Sequence, residues 1–355
     1  MGEKKQPALR QKLLTSVDVA RKAGVSRTAV SYVLNGIQNA HVSEETRARV
    51  LQAAQELGYH MNTSAQALRK GQSYEICILS SVPMSANDTE IFVSAQQHAS
   101  LHGYVPVVYF VGGLTTGQQR ELLLKVIARR PLALLLLGPD CLNTEYITLA
   151  QRMGIEYILL IAAEPIEEHF QTTLSYISLP TREIGYLAAR HLLERGHRHL
   201  GILHPPDPRY KLAFLQRLQG MRDAIAKAET QSGALRLDIF PMHLSMSDAH
   251  SLVDTYLTSA ERPTGIYAFN DEYALPLMGA LNDRGIRIPQ DIAIVGTDNV
   301  SFSAFVRPAL TTISFDNVAL GRRVIEMLIA LQKGEPLPEE LTRPLIPELI
   351  LRAST

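Results

Sequence analysis

The chain has little of what usually announces catalytic or structural chemistry. It holds two cysteines in 355 residues, Cys77 and Cys141. That is too few for a disulfide framework, and both read as free thiols of a reducing compartment. No glycine-rich loop leads to the lysine that cradles phosphates, and no Gly-x-Ser-x-Gly elbow is present, which excludes those two nucleotide and acyl-transfer sites. The apolar run Leu132–Leu137 is too short to cross a bilayer. Near the N-terminus, Lys4–Lys12 leads straight into a helical pattern with no secretion signal. His197 and His199 lie two apart with His204 nearby, but no cysteine or carboxylate completes a ligand set, and cationic side chains are favoured just after a helix. The expectation is a cytoplasmic protein with no cofactor, no metal, no membrane partner and no enzymatic activity.

Net charge is also missing, with 35 basic and 35 acidic residues. The balance hides an asymmetry. Residues 1–71 carry 11 Lys+Arg and 5 Asp+Glu, leaving 24 and 30 for residues 72–355. A basic head gathers phosphate backbone by releasing counterions, and an acidic body does not compete for it.

What is present in that head is a helix-turn-helix pattern over Thr15–Ser31. Thr15 and Asp18 stand at capping-box spacing, and Val17, Val19, Ala20 and Ala23 are the apolar positions of a first helix. Gly24 supplies the left-handed residue that ends it, and Val25 plugs the turn. Ser26 caps a second helix running to about Asn35. Its inner stripe is Ala29, Val30, Val33 and Leu34, which leaves Arg27, Thr28, Ser31 and Tyr32 facing outward. A third helix spans Ser43–Leu57, with Val50, Leu51, Ala54 and Leu57 apolar at helical spacing and Gly58 as its stop. A short exposed second helix is what a major groove admits.

Thr15–Leu68 resembles the DNA-binding headpiece of the LacI/GalR family of bacterial ligand-responsive transcription regulators. The matching runs are Asp18-Val19-Ala20, Ala23-Gly24-Val25-Ser26, Val33-Leu34-Asn35, Val42-Ser43-Glu44-Glu45-Thr46-Arg47, Leu57-Gly58-Tyr59, Asn62 and Ala65-Gln66-Ala67-Leu68. By position, the resemblance makes Arg27, Thr28 and Tyr32 base readers. It makes Thr15, Ser26, Ser31 and Asn35 phosphate contacts, with Asn62 a further DNA contact. Tyr32 departs from the arginine usual there. A phenol makes one hydrogen bond and a ring contact where arginine pairs bidentately with guanine, so the half-site need not be the family's commonest one. Residues 62–71 look like the family's hinge helix. Lacking a large apolar face, a segment this short is not helical alone in water, but two copies on DNA can support each other. Leu68 matches the leucine that wedges into the central base step, and Arg69 and Lys70 can hold nearby phosphates.

From Tyr74 onward short apolar strands alternate with helical stretches, the pattern of buried parallel sheets. Expected strands are Glu75–Ser80, Tyr104–Phe110, Ala133–Leu137, Tyr157–Ile161, Leu200–Leu203, Arg236–Phe240, Gly265–Phe269 and Ile292–Val295. Expected helices are Thr89–His102, Gly117–Arg129, Thr181–Arg195, Leu212–Ala228, Ser247–Ala260, Asp271–Arg284 and Val318–Lys333. The fold class is α/β: a helix-turn-helix headpiece over 15–61, a hinge over 62–71, and two doubly wound, periplasmic-binding-protein-like lobes over 74–355. The resemblance continues through Gly185, Glu194-Arg195-Gly196-His197-Arg198, Asn270-Asp271-Glu272, Gly296-Thr297-Asp298 and Leu310-Thr311-Thr312-Ile313. It places the chain crossings near 175–178, 313–316 and 333–337. Lobe one is then about 74–176 plus 315–334, and lobe two about 177–314 plus 335–355.

Ligands of such lobes sit beyond the carboxyl ends of the strands. The same resemblance puts Arg217, Asn270 and Asp298 at an effector cleft, with Glu164 as an acidic group from the other lobe and Phe92 as an apolar face. Phe315 falls where relatives carry a polar effector contact. An amide, a guanidinium and carboxylates suit a sugar or sugar derivative, whose hydroxyls donate and accept. The expectation is a regulator, by family precedent a repressor, binding a palindromic double-stranded operator as a homodimer under control of a carbohydrate effector. No apolar heptad run extends the C-terminus toward a tetramer. A transport solute-binding protein would need a secretion signal and no DNA reader. A fused enzyme would need a nucleotide-phosphate loop and a catalytic base.

Overall fold

The computed structural model describes residues 14–34, 42–59, 73–80, 86–137, 144–163, 174–232 and 234–355. The chain divides into two units, Met1–Gly71 and Gln72–Thr355.

The first unit is three helices, α1 (Ser16–Ala23), α2 (Arg27–Leu34) and α3 (Glu44–Leu57). Asp18 closes the start of α1, its Oδ2 accepting from the Thr15 backbone N–H at 2.9 Å and from Thr15 Oγ1 at 2.7 Å. Gly24 ends it in the left-handed region at φ 65°. Ser26 Oγ accepts from the Ala29 N–H at 3.1 Å, and Ser43 Oγ accepts from the Thr46 N–H at 3.3 Å. The core is small: Val19, Ala20, Ala23, Val30, Val33, Val50, Ala53 and Ala54. Two expected core positions are wrong. Val17 is 45% exposed and Leu51 50% exposed, and on α3 Ala53 is buried beside Val50 and Ala54 in place of Leu51.

The second unit holds two sheets. Strands β1 (Glu75–Ser80), β2 (Val105–Phe110), β3 (Ala133–Leu137), β4 (Tyr157–Ala163) and β5 (Ser175–Leu179) form a parallel sheet in the order β2-β1-β3-β4-β5. Helices α4 (Ala86–Leu101), α5 (Thr116–Ala128) and α6 (Thr144–Arg152) connect its strands. Period-two alternation sends Cys77 and Leu79 to one face and Ile76 and Ile78 to the other, and both faces are buried. Burial pushes the Cys77 thiol up to about 12, so it is an inert core residue. Cys141 lies outside the described residues.

The second sheet runs β11-β10-β9-β8-β6-β7, parallel except for edge strand β11. Its elements in chain order are α7 (Thr181–Glu194), β6 (His199–His204), α8 (Lys211–Ser232), β7 (Arg236–Pro241), α9 (Met246–Thr258), β8 (Gly265–Tyr267), α10 (Asp271–Asp283), β9 (Ala293–Thr297) and β10 (Thr311–Ser314). There follow α11 (Asn317–Lys333), α12 (Glu339–Thr342) and β11 (Glu348–Ile350). The three histidines are separately engaged: His197 with Thr264, His199 with Asp238, and His204 against the Phe214 ring.

Two expected lobe boundaries move. Ser175–Leu179 pairs with β4, so the first crossing falls after Leu179 rather than near 175–178. The third lies beyond 333–337: Leu337, Leu341 and Leu345 pack into the first sheet's core, and Arg323 of α11 donates to the carbonyls of Leu341 and Arg343 at 2.5 Å. Residues up to about 345 therefore stay with the first lobe. The middle crossing follows Ser314, after which α11 returns to α4, where Ser94 Oγ donates to the Val318 carbonyl at 2.6 Å.

Helices α7 and α8 cross at glycines. A Cβ on Gly185 would lie 1.9 Å from the Arg217 carbonyl oxygen, and one on Gly220 would lie 1.9 Å from that of Arg182. Only two hydrogens facing two backbones permit this approach, which fixes α8 and the Arg217 it carries.

Candidate functional site

Two sites are built separately. The first is the outer face of α2. Ser26 starts the helix, Val30 and Val33 bury its inner side, and Arg27, Thr28 and Tyr32 are exposed, Tyr32 at 39%. Thr28 and Tyr32 are four apart and share a face with Ser31, which is half-buried. Arg27 has no ion-pair partner among the described residues, whereas Arg21 and Lys22 of α1 are held by Asp18 at 3.5 Å and Glu56 at 2.8 Å. Thr15 is exposed at the start of α1. Asn35, Asn62, Leu68, Arg69, Lys70 and the hinge over 62–71 lie outside the described residues.

The second site is a cavity of about 170 Å³ between the carboxyl ends of the two sheets. The first sheet contributes Leu137, Ala163 and Leu179 from the ends of β3, β4 and β5. The second contributes Arg217 from α8, Phe269 and Asn270 after β8, and Asp298 after β9. Sequence reasoning thus brought three of its six effector residues to one place. Glu164 lies outside the described residues. Phe92 is a correction: it lies on α4, packs into the core of the first lobe and lines no part of this cavity. A large apolar side chain on the inner face of an amphipathic helix goes to the core first. Phe315 is a second correction: at the middle crossing it packs against the cores of both lobes, outside the cavity.

The polar groups are held rigidly. Asn270 caps α10, its Oδ1 accepting from the Tyr273 N–H at 3.0 Å, and its Nδ2 has no hydrogen-bond partner among the described residues. Arg217 is only 8% exposed. Its guanidinium carbon stands 4.3 Å from the Phe269 ring centroid, and Nη1 donates to the Phe269 carbonyl at 2.5 Å. Its Nε has no partner among the described residues. Asp298 is half-buried, and its carboxylate makes no hydrogen bond with the described residues. Desolvation pushes it up to about 7, with Arg217 opposing and Asp271, Asp88 and Glu272 adding to the rise. Among the described residues, three of the four non-glycine residues in left-handed backbone are Phe269 (φ 49°), Asp298 (φ 100°) and Asn299 (φ 52°). Their strain, about 1–3 kcal/mol each, collects at the strand ends where ligands are held.

Sequence reasoning missed Asn87, Asp88, Thr181, Arg209 and Tyr210. Arg209 is locked to Asp207 of its own turn, so its charge is already spent. The Asp207-Pro208 turn that sets the Arg209–Tyr210 pair beside the cavity is a local cue; nothing in the pattern marks the others.

Two family descriptions fit the chain: "Bacterial regulatory proteins, lacI family" over residues 15–62 and "Periplasmic binding protein-like domain" over residues 189–355. Among solved structures, the chain is similar to the Lac repressor bound to ONPG in the repressed state, at TM-score 0.77 and 26% identity, covering 97% of this chain and 100% of that one. Residues 15–62 thus match the LacI-family DNA-binding part, and residues 189–355 a periplasmic-binding-protein-like domain. The comparisons support a DNA-binding transcriptional repressor of the LacI type. The Lac repressor dimer bound to operator and the anti-inducer ONPF is similar at TM-score 0.77 and 25% identity, covering 97% of this chain and 99% of that one. The "HTH-type transcriptional repressor PurR" of Vibrio cholerae serotype O1 (strain M66-2) is 28% identical over 318 residues, 89% of this chain and 91% of that protein. The protein of that name from Vibrio atlanticus is 27% identical over 342 residues, 96% and 98% of the two chains. Among the described residues no helix is long and apolar enough to cross a membrane.

Proposed function

We propose that this chain is a LacI-family regulator that acts in the cytoplasm as a homodimer on a palindromic operator, with its affinity set by a small polyhydroxylated effector of about monosaccharide size. The observation that carries the reading is the α2 face, where Arg27, Thr28 and Tyr32 stand exposed inside the segment that matches the family's DNA-binding part. In this reading Arg27 and Thr28 read base edges, Tyr32 adds one hydrogen bond and a ring contact, and Thr15, Ser26, Ser31 and Asn35 hold phosphates. The hinge over 62–71 forms on DNA, with Asn62 and Arg69 on the backbone and Leu68 in the central step. The Lac repressor structure described as a dimer on operator supports the two-fold arrangement.

The effector part rests on the cavity. At about 170 Å³ it is smaller than the roughly 300–1,000 Å³ of drug-sized pockets. Asp298 offers two acceptors, Asn270 a donor and Arg217 a fixed positive group, against apolar walls; hydroxyls on a small ring satisfy all three. Effector and operator are then linked: an effector that weakens operator binding binds the DNA complex less tightly by the same factor.

The test is selection of bound duplexes from a random pool by the full chain. An inverted repeat with two equal half-sites is expected. A single asymmetric site, or no enrichment, refutes the dimeric palindrome reading.

A further inference from the structure

A second cavity, of about 520 Å³, meets the first at Leu179 and Thr181. It opens over the first turn of α7 and is walled by β5, by α11 through Arg323, and by the segment around Arg343. Its walls therefore come from both lobes.

Three groups there keep a hydrogen-bond donor with no partner among the described residues. Helix α7 has no side-chain cap at Pro180, and its first intrahelical bond runs from Ile184 to the Pro180 carbonyl. The N–H groups of Thr181, Arg182 and Glu183 are thus without helical acceptors, at the positive end of a 14-residue helix. Thr181 Oγ1 has no hydrogen-bond partner among the described residues although the residue is 5% exposed, and an unpaired buried hydroxyl is costly. Arg323 is the third. Its Nε and Nη2 donate to the carbonyls of Leu341 and Arg343, while Nη1 has no partner and no carboxylate neutralises it among the described residues.

The remaining charges of the cavity nearly cancel. Arg182 is paired with Asp223 at 2.7 Å and Arg343 with Glu339 at 3.2 Å. Glu183 is exposed at the rim. Among the described residues the uncompensated charge inside is Arg323, and burial lowers its affinity for its proton, as expected of a cation with no counter-charge.

We propose that this cavity is a second ligand site, for a small anion such as a phosphate or carboxylate, held by the α7 N-terminus, Thr181 Oγ1 and Arg323. A helix N-terminus with a hydroxyl and a guanidinium is a ready anion cradle. Since both lobes wall it, occupancy is linked to their relative placement and so to the effector cleft.

The test is isothermal titration of the full chain with inorganic phosphate at constant ionic strength. One saturable site is expected. Thr181→Val and Arg323→Gln each weaken it about tenfold or more, the loss of one hydrogen bond to a charged group. Thr181→Ser and Arg323→Lys, which keep the hydroxyl and the charge, recover most of the affinity and show that the fold survives. Thr181 faces both cavities but Arg323 only the second. Loss with Thr181→Val but not with Arg323→Gln therefore places the anion in the first cavity and overturns the proposal. Non-saturable heats, or parent-like binding in both variants, overturn it as well.

Discussion

Replacing Gly185 by alanine tests whether the α7–α8 crossing sets the effector site. Two effects oppose each other. In a helix interior alanine is favoured over glycine by about 0.8–1 kcal/mol. Against this, the new Cβ would sit 1.9 Å from the Arg217 carbonyl oxygen, 2.6 Å from its carbon and 2.7 Å from its Cα. All three are backbone atoms, so no side-chain rotation relieves the clash. Ordinary contact needs about 3.5 Å, so α8 must retreat by roughly 1.5 Å. Overpacking of a tight core costs about 1–3 kcal/mol, and a backbone clash belongs at the upper end. The net expectation is a loss of about 1–2 kcal/mol. The matched control is Gly117→Ala in α5, where a Cβ meets nothing within 4 Å; there only the helix-propensity gain operates.

The chain contains no tryptophan, so unfolding in urea is followed by far-UV circular dichroism. Gly185→Ala should lower the midpoint at unchanged slope, and Gly117→Ala should leave it or raise it. Because the clash falls on Arg217 itself, Gly185→Ala should also weaken effector binding while sparing binding to random DNA. A Gly185→Ala protein as stable as the parent would refute the close crossing. Equal destabilisation by Gly117→Ala would refute the steric cause.

Leu68→Ala should reduce operator affinity while leaving weak binding to random duplex largely intact at one stated salt concentration; equal loss on both contradicts the wedge. Asp298→Ala should abolish the effector response without abolishing DNA binding, and an unchanged dose-response removes Asp298 from the site. The Asp298 carboxyl stands at about 7 in the folded chain against 3.8 ordinarily. Between those values the folded state keeps a proton that the unfolded state has lost, so stability falls as pH rises through that window. Asp298→Asn should flatten that part of the stability profile, and an unchanged slope assigns it elsewhere.

The strands legible in the sequence were those buried on both faces: Glu75–Ser80 and Ala133–Leu137 are found at their expected bounds. Those missed are the ones whose residues are polar for a reason. Ser175–Leu179 and Glu348–Ile350 are edge strands with a solvated side. Thr311–Ser314 lies between two strands, but its buried threonines spend their hydroxyls on Asp271 and Thr355, so no apolar run marks it. Helix Thr144–Arg152 was also missed. In the cleft, Arg217, Asn270 and Asp298 were legible through runs matching a known family. Phe92 and Phe315 misled because an aromatic residue carries no sign of whether it faces a core or a cleft. Thr181 was invisible, since its importance comes from two cavities meeting at one hydroxyl.

The position of Asp298 depends on a residue that lines neither cavity. Asp271 is fully buried. Its Oδ2 accepts from the Val300 N–H at 3.0 Å and Ser303 Oγ at 2.6 Å, and its Oδ1 from Thr312 Oγ1 at 2.6 Å. It thereby ties the first turn of α10 to β10 and to the loop carrying Asp298 and Asn299 in left-handed backbone. Desolvation outweighs these bonds and pushes its carboxyl up to about 6 from 3.8. Ionised Asp271 therefore carries a penalty of about 3 kcal/mol relative to the unfolded chain, at 1.36 kcal/mol per pKa unit. That penalty is absent below about pH 4 and complete above about pH 6. Asp271→Asn keeps an oxygen for Val300 and Ser303, and the Thr312 hydroxyl can turn to accept from the new amide, so the loop should hold. The variant should be less stable than the parent at pH 4, with the gap shrinking by about 3 kcal/mol by pH 7. Asp271→Ala leaves three buried donors unpaired and should lose effector affinity together with stability. A parent–Asn gap that is constant from pH 4 to 7 would mean that Asp271 does not titrate in that window, and the loop would then owe its shape to something other than this buried carboxylate.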